Sequence, residues 1–300
     1  IALVTRLPLG VVLAIVPWNF PLSTTAWKLA PALATGNSVI LKPDPKTPLT
    51  ALRIAQLASE AGLPDGVLNV LPGDGINLGK HLSLHNDIDG QTFTGSTKVG
   101  KLLQQYSGQS NLKRTFLELG GKSANIVFND ANLEEAAEMA AVASFYNSGQ
   151  TCTAGTRLLI QEDIYDKFLA MVIEHAKSWK EGHTFGGTPM GAIINQGQLD
   201  TIQGYIKIGK EEGARLVLGG NVTQTESGGF YHDATIFADV DNNMRIAQEE
   251  IFGPVMSVIK FKDESDAIRI ANDSPYGLAG AVWSQNINTA LKVAAAVRTG

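Results

Sequence analysis

The 300 residues exceed what one minimal core needs and are read as two medium domains, and 44% hydrophobic with 18% charged residues is the composition of an ordinary folded protein. A net charge of -5 without a basic block excludes the electrostatic footprint of a nucleic-acid or anionic-membrane binder, so small-molecule chemistry is expected. The longest apolar run, residues 11–16, falls far short of the ~20 residues that cross a bilayer, and the single cysteine leaves no intrachain disulfide, which fits a cytoplasmic location.

In chain order, short β-branched runs alternate with longer helical patterns, the signature of parallel sheets with crossover helices. Strands are expected at 11–16 and 38–42, with a helix at 22–35 between them, kinked at Pro31 and capped by Gly36. Thr47 and Pro48 read as the N-cap and first turn of a helix with Leu49, Leu52, Ala55 and Ala58 on its apolar face, ended by Gly62. A strand at 67–71, the turn PGDG, a short helix, a strand at 91–94 and a helix from Ser96 follow. Strands at 115–119 and 123–128 flank Gly120-Gly121-Lys122, a flexible segment and the expected domain boundary. Beyond it, helices at 133–146, 164–179 and 198–212 interleave with strands at 157–161 and 215–218.

Several short motifs sit at the junctions of these elements. Cys152 lies in NSGQTCTAGTR, among small and polar residues rather than the aliphatic neighbours of a core cysteine. A thiol there suits covalent catalysis, and none of the five histidines stands in a context that marks it as a partner. Glu118 ends a strand beside two glycines and is the candidate base. Asn19, in the turn PWNFP, offers a fixed amide donor of the kind that stabilises an oxyanion. Gly95 and Ser96 join a strand to a helix, where backbone N–H groups receive a phosphate. PGDGINLG holds Gly73, Gly75 and Gly79, one residue out of step with the dinucleotide fingerprint. The acidic QEEIFGP segment reads by itself as a solvated turn.

Taken together, PWNFP, LKP, FTGSTKVG, LELGGKSAN, GQTC and EEIFGP, in this order and spacing, resemble the aldehyde dehydrogenase superfamily over essentially all 300 residues. The resemblance implies an α/β fold with a Rossmann-like cofactor domain and a second α/β catalytic domain. Members are longer at both ends, and the chain opens on Ile1 and ends at Gly300 just past a helical pattern, so a central portion is expected. The division would be a remnant of an oligomerisation strand at 1–8, part of the NAD(P)-binding domain at 9–120 and a catalytic domain at 121–300.

By the same resemblance, Cys152 is the nucleophile, Glu118 the general base and Asn19 the side-chain half of the oxyanion hole. Trp18 and Ser96 match positions at the cofactor pyrophosphate, Lys42 a ligand of the adenosine ribose, and Glu250 and Phe252 the contacts at the nicotinamide end, while Gly75, Gly79 and Gly95 are expected from their glycine-rich turns to bind the cofactor as well. Phe20, Trp27, Tyr146, Thr151 and Thr153 would line the substrate tunnel. No metal ligands are implied, and a homodimer or homotetramer is. Many NAD-preferring members carry a glutamate three residues after the lysine matching Lys42; here Pro45 stands there, followed by Lys46, so the cofactor is expected to be NAD or NADP. HNDID, SNLKRTFLELGGKSANIVF and AGTRLL are most similar to members acting on gamma-glutamyl-gamma-aminobutyraldehyde and related aminoaldehydes. The competing readings are a non-catalytic homologue and a cysteine hydrolase or acyltransferase, which would turn over esters without nicotinamide.

Overall fold

The computed structural model describes residues 2–300, apart from the side chain of Thr225. The chain divides into two compact units, the first ending at Leu119 and the second running Gly120–Gly300.

The first unit is built from β1 (Val11–Ile15), α1 (Pro21–Ala34), β2 (Ser38–Lys42), α2 (Leu49–Glu60), β3 (Leu68–Val70), a π-type turn (Gly75–Gly79), α3 (Lys80–Leu84), β4 (Gly90–Thr94), α4 (Thr97–Gln109) and β5 (Arg114–Glu118). Its five strands are all parallel, in the order β3-β2-β1-β4-β5. Period-two alternation along β1 serves two layers at once. Leu13 and Ile15 pack with Leu82, Phe93 and Leu103 on one face, while Ala14 and Val16 pack with Leu29, Val39, Leu41 and Ala51 on the other. The strand order reverses between β1 and β4, which opens a crevice beyond their carboxyl ends.

Local signals define most element ends. Gly36 adopts φ +82° after α1, and the N–H groups of Gly36 and Asn37 return to the carbonyls of Leu33 and Ala32, closing the helix as a Schellman turn. The start and face of α2 differ from expectation. Its N-cap position is Pro48, with no side-chain cap, and Thr47 lies one residue further out. Ala51 is buried, whereas Leu49 and Leu52 are exposed. Residues 2–8 contain no strand, and Ile1 lies outside the described residues.

The second unit contains β6 (Ala124–Val127), α5 (Leu133–Phe145), β7 (Arg157–Gln161), α6 (Tyr165–Ala176), α7 (Gln196–Glu211), β8 (Arg215–Leu218), the hairpin β9 (Val222–Thr223) and β10 (Tyr231–His232), β11 (Thr235–Ala238), α8 (Arg245–Gln248), β12 (Val255–Phe261), α9 (Glu264–Asn272), β13 (Gly280–Trp283) and α10 (Ile287–Ala296). Its six-stranded sheet runs β13-β6-β7-β12-β11-β8, with only the β11–β8 pair antiparallel. Alternate residues of β7 and β12 again serve two cores: Leu158, Ile160, Met256 and Val258 face α5 and α6, while Leu159, Val255 and Ile259 face α7 and α9. Among the described residues no helix is long and apolar enough to cross a membrane.

Candidate active site

The crevice in the first unit is a cavity of 670 Å³, within the range of small-molecule sites. It gathers Trp18 from the end of β1, Lys42 from the end of β2, Gly75 and Gly79 from the π-type turn, and Gly95 and Ser96 from the end of β4. Six residues expected from the sequence to bind the cofactor thus line one cavity. Ser96 is the N-cap of α4, its Oγ accepting from Val99 N at 3.4 Å, so the positive end of a 13-residue helix opens here. Gly95 is required sterically, since a Cβ there would overlap the Phe93 ring. Lys42 is 4% exposed, and its Nζ donates to the Pro43 carbonyl at 3.3 Å. Burial pushes that ammonium below the usual lysine value, and Asp44 and Asp74, both on the cavity wall, act against the shift. A helix N-terminus that takes phosphate and a Lys/Asp set that takes sugar hydroxyls fit a dinucleotide.

Asn19 and Glu118 belong to the same unit and lie outside that lining. Asn19 is half-buried in the four-residue link between Val16 and α1. Glu118 closes β5, opposite Thr94 in register, and its carbonyl accepts from Gly95 N at 3.0 Å. Phe20 precedes α1 directly, and Trp27 is 70% exposed on it.

In the second unit, Cys152 follows a backbone turn of unusual conformation. Asn147, Ser148 and Gly149 all have positive φ, 52°, 56° and 69°. Only glycine adopts this region freely, and each of the other residues costs about 1–2 kcal/mol there. Side chains hold the turn in place: Ser148 Oγ donates to the Gly191 carbonyl at 2.8 Å, and Gln150 Oε1 accepts from Ile194 N at 2.9 Å. The turn packs on Phe252-Gly253-Pro254, and a Cβ on Gly149 would overlap the Gly253 carbonyl. Phe252 has φ 57°, and Gln198 Nε2 donates to the carbonyls of Ile251 and Phe252 at 2.9 and 3.0 Å. A small cavity brings Thr151, Gly121, Gly149, Glu250 and Phe252 together. Cys152 is half-buried, while Tyr146 and Thr153 are exposed and lie outside this lining.

The glycines of LELGGK serve close packing rather than flexibility. A Cβ on Gly120 would overlap the Glu250 carboxylate, and one on Gly121 would press on the Cys152 carbonyl. Glu250 Oε1 accepts from Gly121 N at 3.1 Å, and burial raises its carboxyl above the ordinary range. Gly149→Ala should therefore lower stability by about 1–3 kcal/mol from the backbone alone, with the overlap on Gly253 added. Equilibrium urea denaturation measures this, and an unchanged midpoint would contradict the strain described.

The profile of the aldehyde dehydrogenase family matches residues 1–300. The chain belongs to this family. It is 50% identical over 302 aligned residues to NADP/NAD-dependent aldehyde dehydrogenase PuuC of Escherichia coli K12, covering all of this chain and 60% of that protein. An indole-3-acetaldehyde dehydrogenase solved with NAD+ superposes with a TM-score of 0.97 at 57% identity, over 98% of this chain and 60% of its own. The gamma-glutamyl-gamma-aminobutyraldehyde dehydrogenase of Burkholderia cenocepacia J2315 superposes with 0.96 at 54% identity, over 99% and 60%. The chain thus has the aldehyde dehydrogenase fold and spans about 60% of the length of these relatives.

Several residues around these cavities escape sequence reasoning. Lys28, 7% exposed on α1, donates from Nζ to Thr92 Oγ1 at 3.1 Å, and burial pushes it down to about 8 while the Glu118 charge acts against that shift. A lysine within a helical pattern reads as solvated, so only the fold reveals it. Asp74, Lys80 and Tyr106 also line the cavity, and Gln198 shapes the Phe252 turn from α7.

Proposed function

We propose that this chain is the portion of an NAD(P)-dependent aldehyde dehydrogenase that binds the dinucleotide and carries the nucleophile, oxidising an aldehyde to a carboxylic acid. The observation that carries the reading is the cavity at the β1/β4 reversal, where Trp18, Lys42, Gly75, Gly79, Gly95 and Ser96 come together. These residues would hold the adenosine and pyrophosphate portions, and Glu250 and Phe252 the nicotinamide end. When bound, the nicotinamide supplies the hydride acceptor that converts the first covalent adduct into a thioester.

The remaining steps belong to the chain. The Cys152 thiolate adds to the aldehyde carbon, and the carbonyl oxygen becomes an oxyanion that accepts from the Asn19 amide and the Cys152 backbone N–H. Once the thioester has formed, Glu118 takes a proton from water as its oxygen attacks the acyl carbon. The carbon–sulfur bond breaks, releasing the acid and the thiolate. Asn19→Ala should lower turnover by about 10²- to 10³-fold where chemistry is limiting; single-turnover kinetics check it, and an unchanged rate removes Asn19 from the scheme.

An aminoaldehyde such as gamma-glutamyl-gamma-aminobutyraldehyde is the proposed substrate class, supported by the named relatives and by the HNDID and AGTRLL segments. Phe20, Trp27, Tyr146, Thr151 and Thr153 are the proposed substrate contacts. Pro45 and Lys46 on the cavity wall, with no glutamate at position 45 to repel a 2'-phosphate, support use of NADP as well as NAD, and PuuC is named for both. A cytoplasmic homo-oligomer completes the reading. The test is an aldehyde panel with NAD and NADP on the full-length protein, following nicotinamide reduction. Reduction with aminoaldehydes is expected; ester hydrolysis without any reduction would instead favour a cysteine hydrolase.

A further inference from the structure

Lys122 is 2% exposed, and its Nζ makes no hydrogen bond among the described residues. A buried ammonium in that position is costly unless a nearby charge compensates it. Arg157, on β7, is a cation and repels it; its guanidinium is itself engaged with backbone carbonyls and Asn242, and faces Asp273. Glu249 is already bound by Arg245 at 2.8 and 3.0 Å and by Tyr205 Oη at 2.6 Å. The Tyr276 phenol shares the small cavity of about 10 Å³ beside Lys122 and Ser123, room for about one water. Burial raises that phenol and the Glu250 charge raises it further. Glu250 is left as the carboxylate without another cation. Its Oε1 is fixed on the N–H of Gly121, the residue directly before Lys122.

We propose that Lys122 is the buried counter-charge of Glu250, a positioning residue that keeps this carboxylate ionised and so able to accept from the hydroxyls of a bound dinucleotide. The inference rests on the reading above that Glu250 contacts the dinucleotide. Desolvation raises Glu250, and the Gly121 N–H and the Lys122 ammonium are what oppose it. Lys122 itself is pushed down to about 7 by burial and then by Arg157. It is therefore charged on the acid side of neutrality, where it acts against the upward push of burial on Glu250. The two groups titrate as a coupled pair. A protonated Glu250 must donate one hydrogen bond and loses acceptor capacity, so affinity falls as it protonates.

The test is the dissociation constant of NAD+ as a function of pH, by titration calorimetry on the full-length protein, for wild type, Lys122→Met and Glu250→Gln. Wild type should show an acid limb of weakening affinity. In Lys122→Met that limb should move up by about one pH unit, so that affinity on the limb falls about tenfold. Glu250→Gln should bind more weakly and lack the limb. Lys122→Gln, similarly uncharged, is the second variant should the methionine protein fail to fold, and the same shift is expected. A limb that stays at the wild-type position in folded Lys122 variants overturns the proposal, while the Glu250 contact stands. If instead Glu250→Gln binds NAD+ as wild type does at every pH, it is the Glu250 contact itself that fails.

Discussion

On the proposed covalent mechanism, replacing Cys152 by alanine should remove dinucleotide reduction with every aldehyde, a loss of at least about 10⁴-fold, as for other covalent nucleophiles whose removal leaves only binding and electrostatic stabilisation. The size of the effect follows from the chemistry. Without sulfur there is no first adduct from which hydride can leave, and no thioester for water to open. The rest of the turn before Cys152 should be undisturbed by the change, because the bonds that fix it come from Ser148 and Gln150. Dinucleotide affinity should therefore stay at the wild-type value. Stopped-flow absorbance and calorimetry on the same preparation measure the two quantities. Loss of both would mean that Cys152 acts through the fold, and persistence of reduction would exclude a covalent mechanism.

Arg157→Met should destabilise the protein by about 3–5 kcal/mol, a large part of the 5–15 kcal/mol that typically holds a native state together. Arg157 is 1% exposed at the start of β7. Its Nη1 donates to the Ile270 carbonyl at 2.8 Å and Asn242 Oδ1 at 3.0 Å, Nη2 to the Ala271 carbonyl at 2.7 Å, and Nε to the Lys122 carbonyl at 3.3 Å. It thus satisfies the last carbonyls of α9 and favours the negative end of its dipole. Burial lowers the guanidinium to about 10, with Asp273 acting against the shift, so it is charged at neutral pH. Methionine fills the volume but leaves several buried acceptors without donors, and lysine cannot reproduce the fork. Equilibrium urea denaturation gives the value; a loss under about 1 kcal/mol would show that water replaces the guanidinium at little cost.

In the first unit β1, β2 and β4 are legible because they are buried on both faces and bounded by turn residues. VVLAI, SVILK and GQTFT are apolar or β-branched runs, and Gly36 and Gly62 end their helices with the positive φ that glycine permits. The face of α2 is not legible, since helical spacing fits Leu49 and Leu52 as well as Ala51, and only tertiary contact chooses between them. The left-handed backbone at Asn147, Ser148 and Phe252 is hidden for a different reason. Serine and phenylalanine do not signal that conformation, which persists because Gly191, Ile194 and Gln198 hold it from other elements. Lys28, Lys122 and Arg157 look like surface charges in a linear reading, yet all three are buried, and Arg157 is held by hydrogen-bond partners up to 116 residues away. EEIFGP, a solvated acidic turn by its sequence, packs against the Gly149 turn and closes on Gly120 and Gly121.

The central claim is that Cys152 carries the substrate as a thioester, and the direct measurement is mass spectrometry of the protein acid-quenched during turnover with an aminoaldehyde and NAD+. The peptide containing Cys152 should gain the mass of the acyl group, and the modified fraction should rise when Glu118 is replaced by glutamine, because hydrolysis then slows. An unmodified Cys152 peptide in both proteins while nicotinamide reduction proceeds would contradict the account.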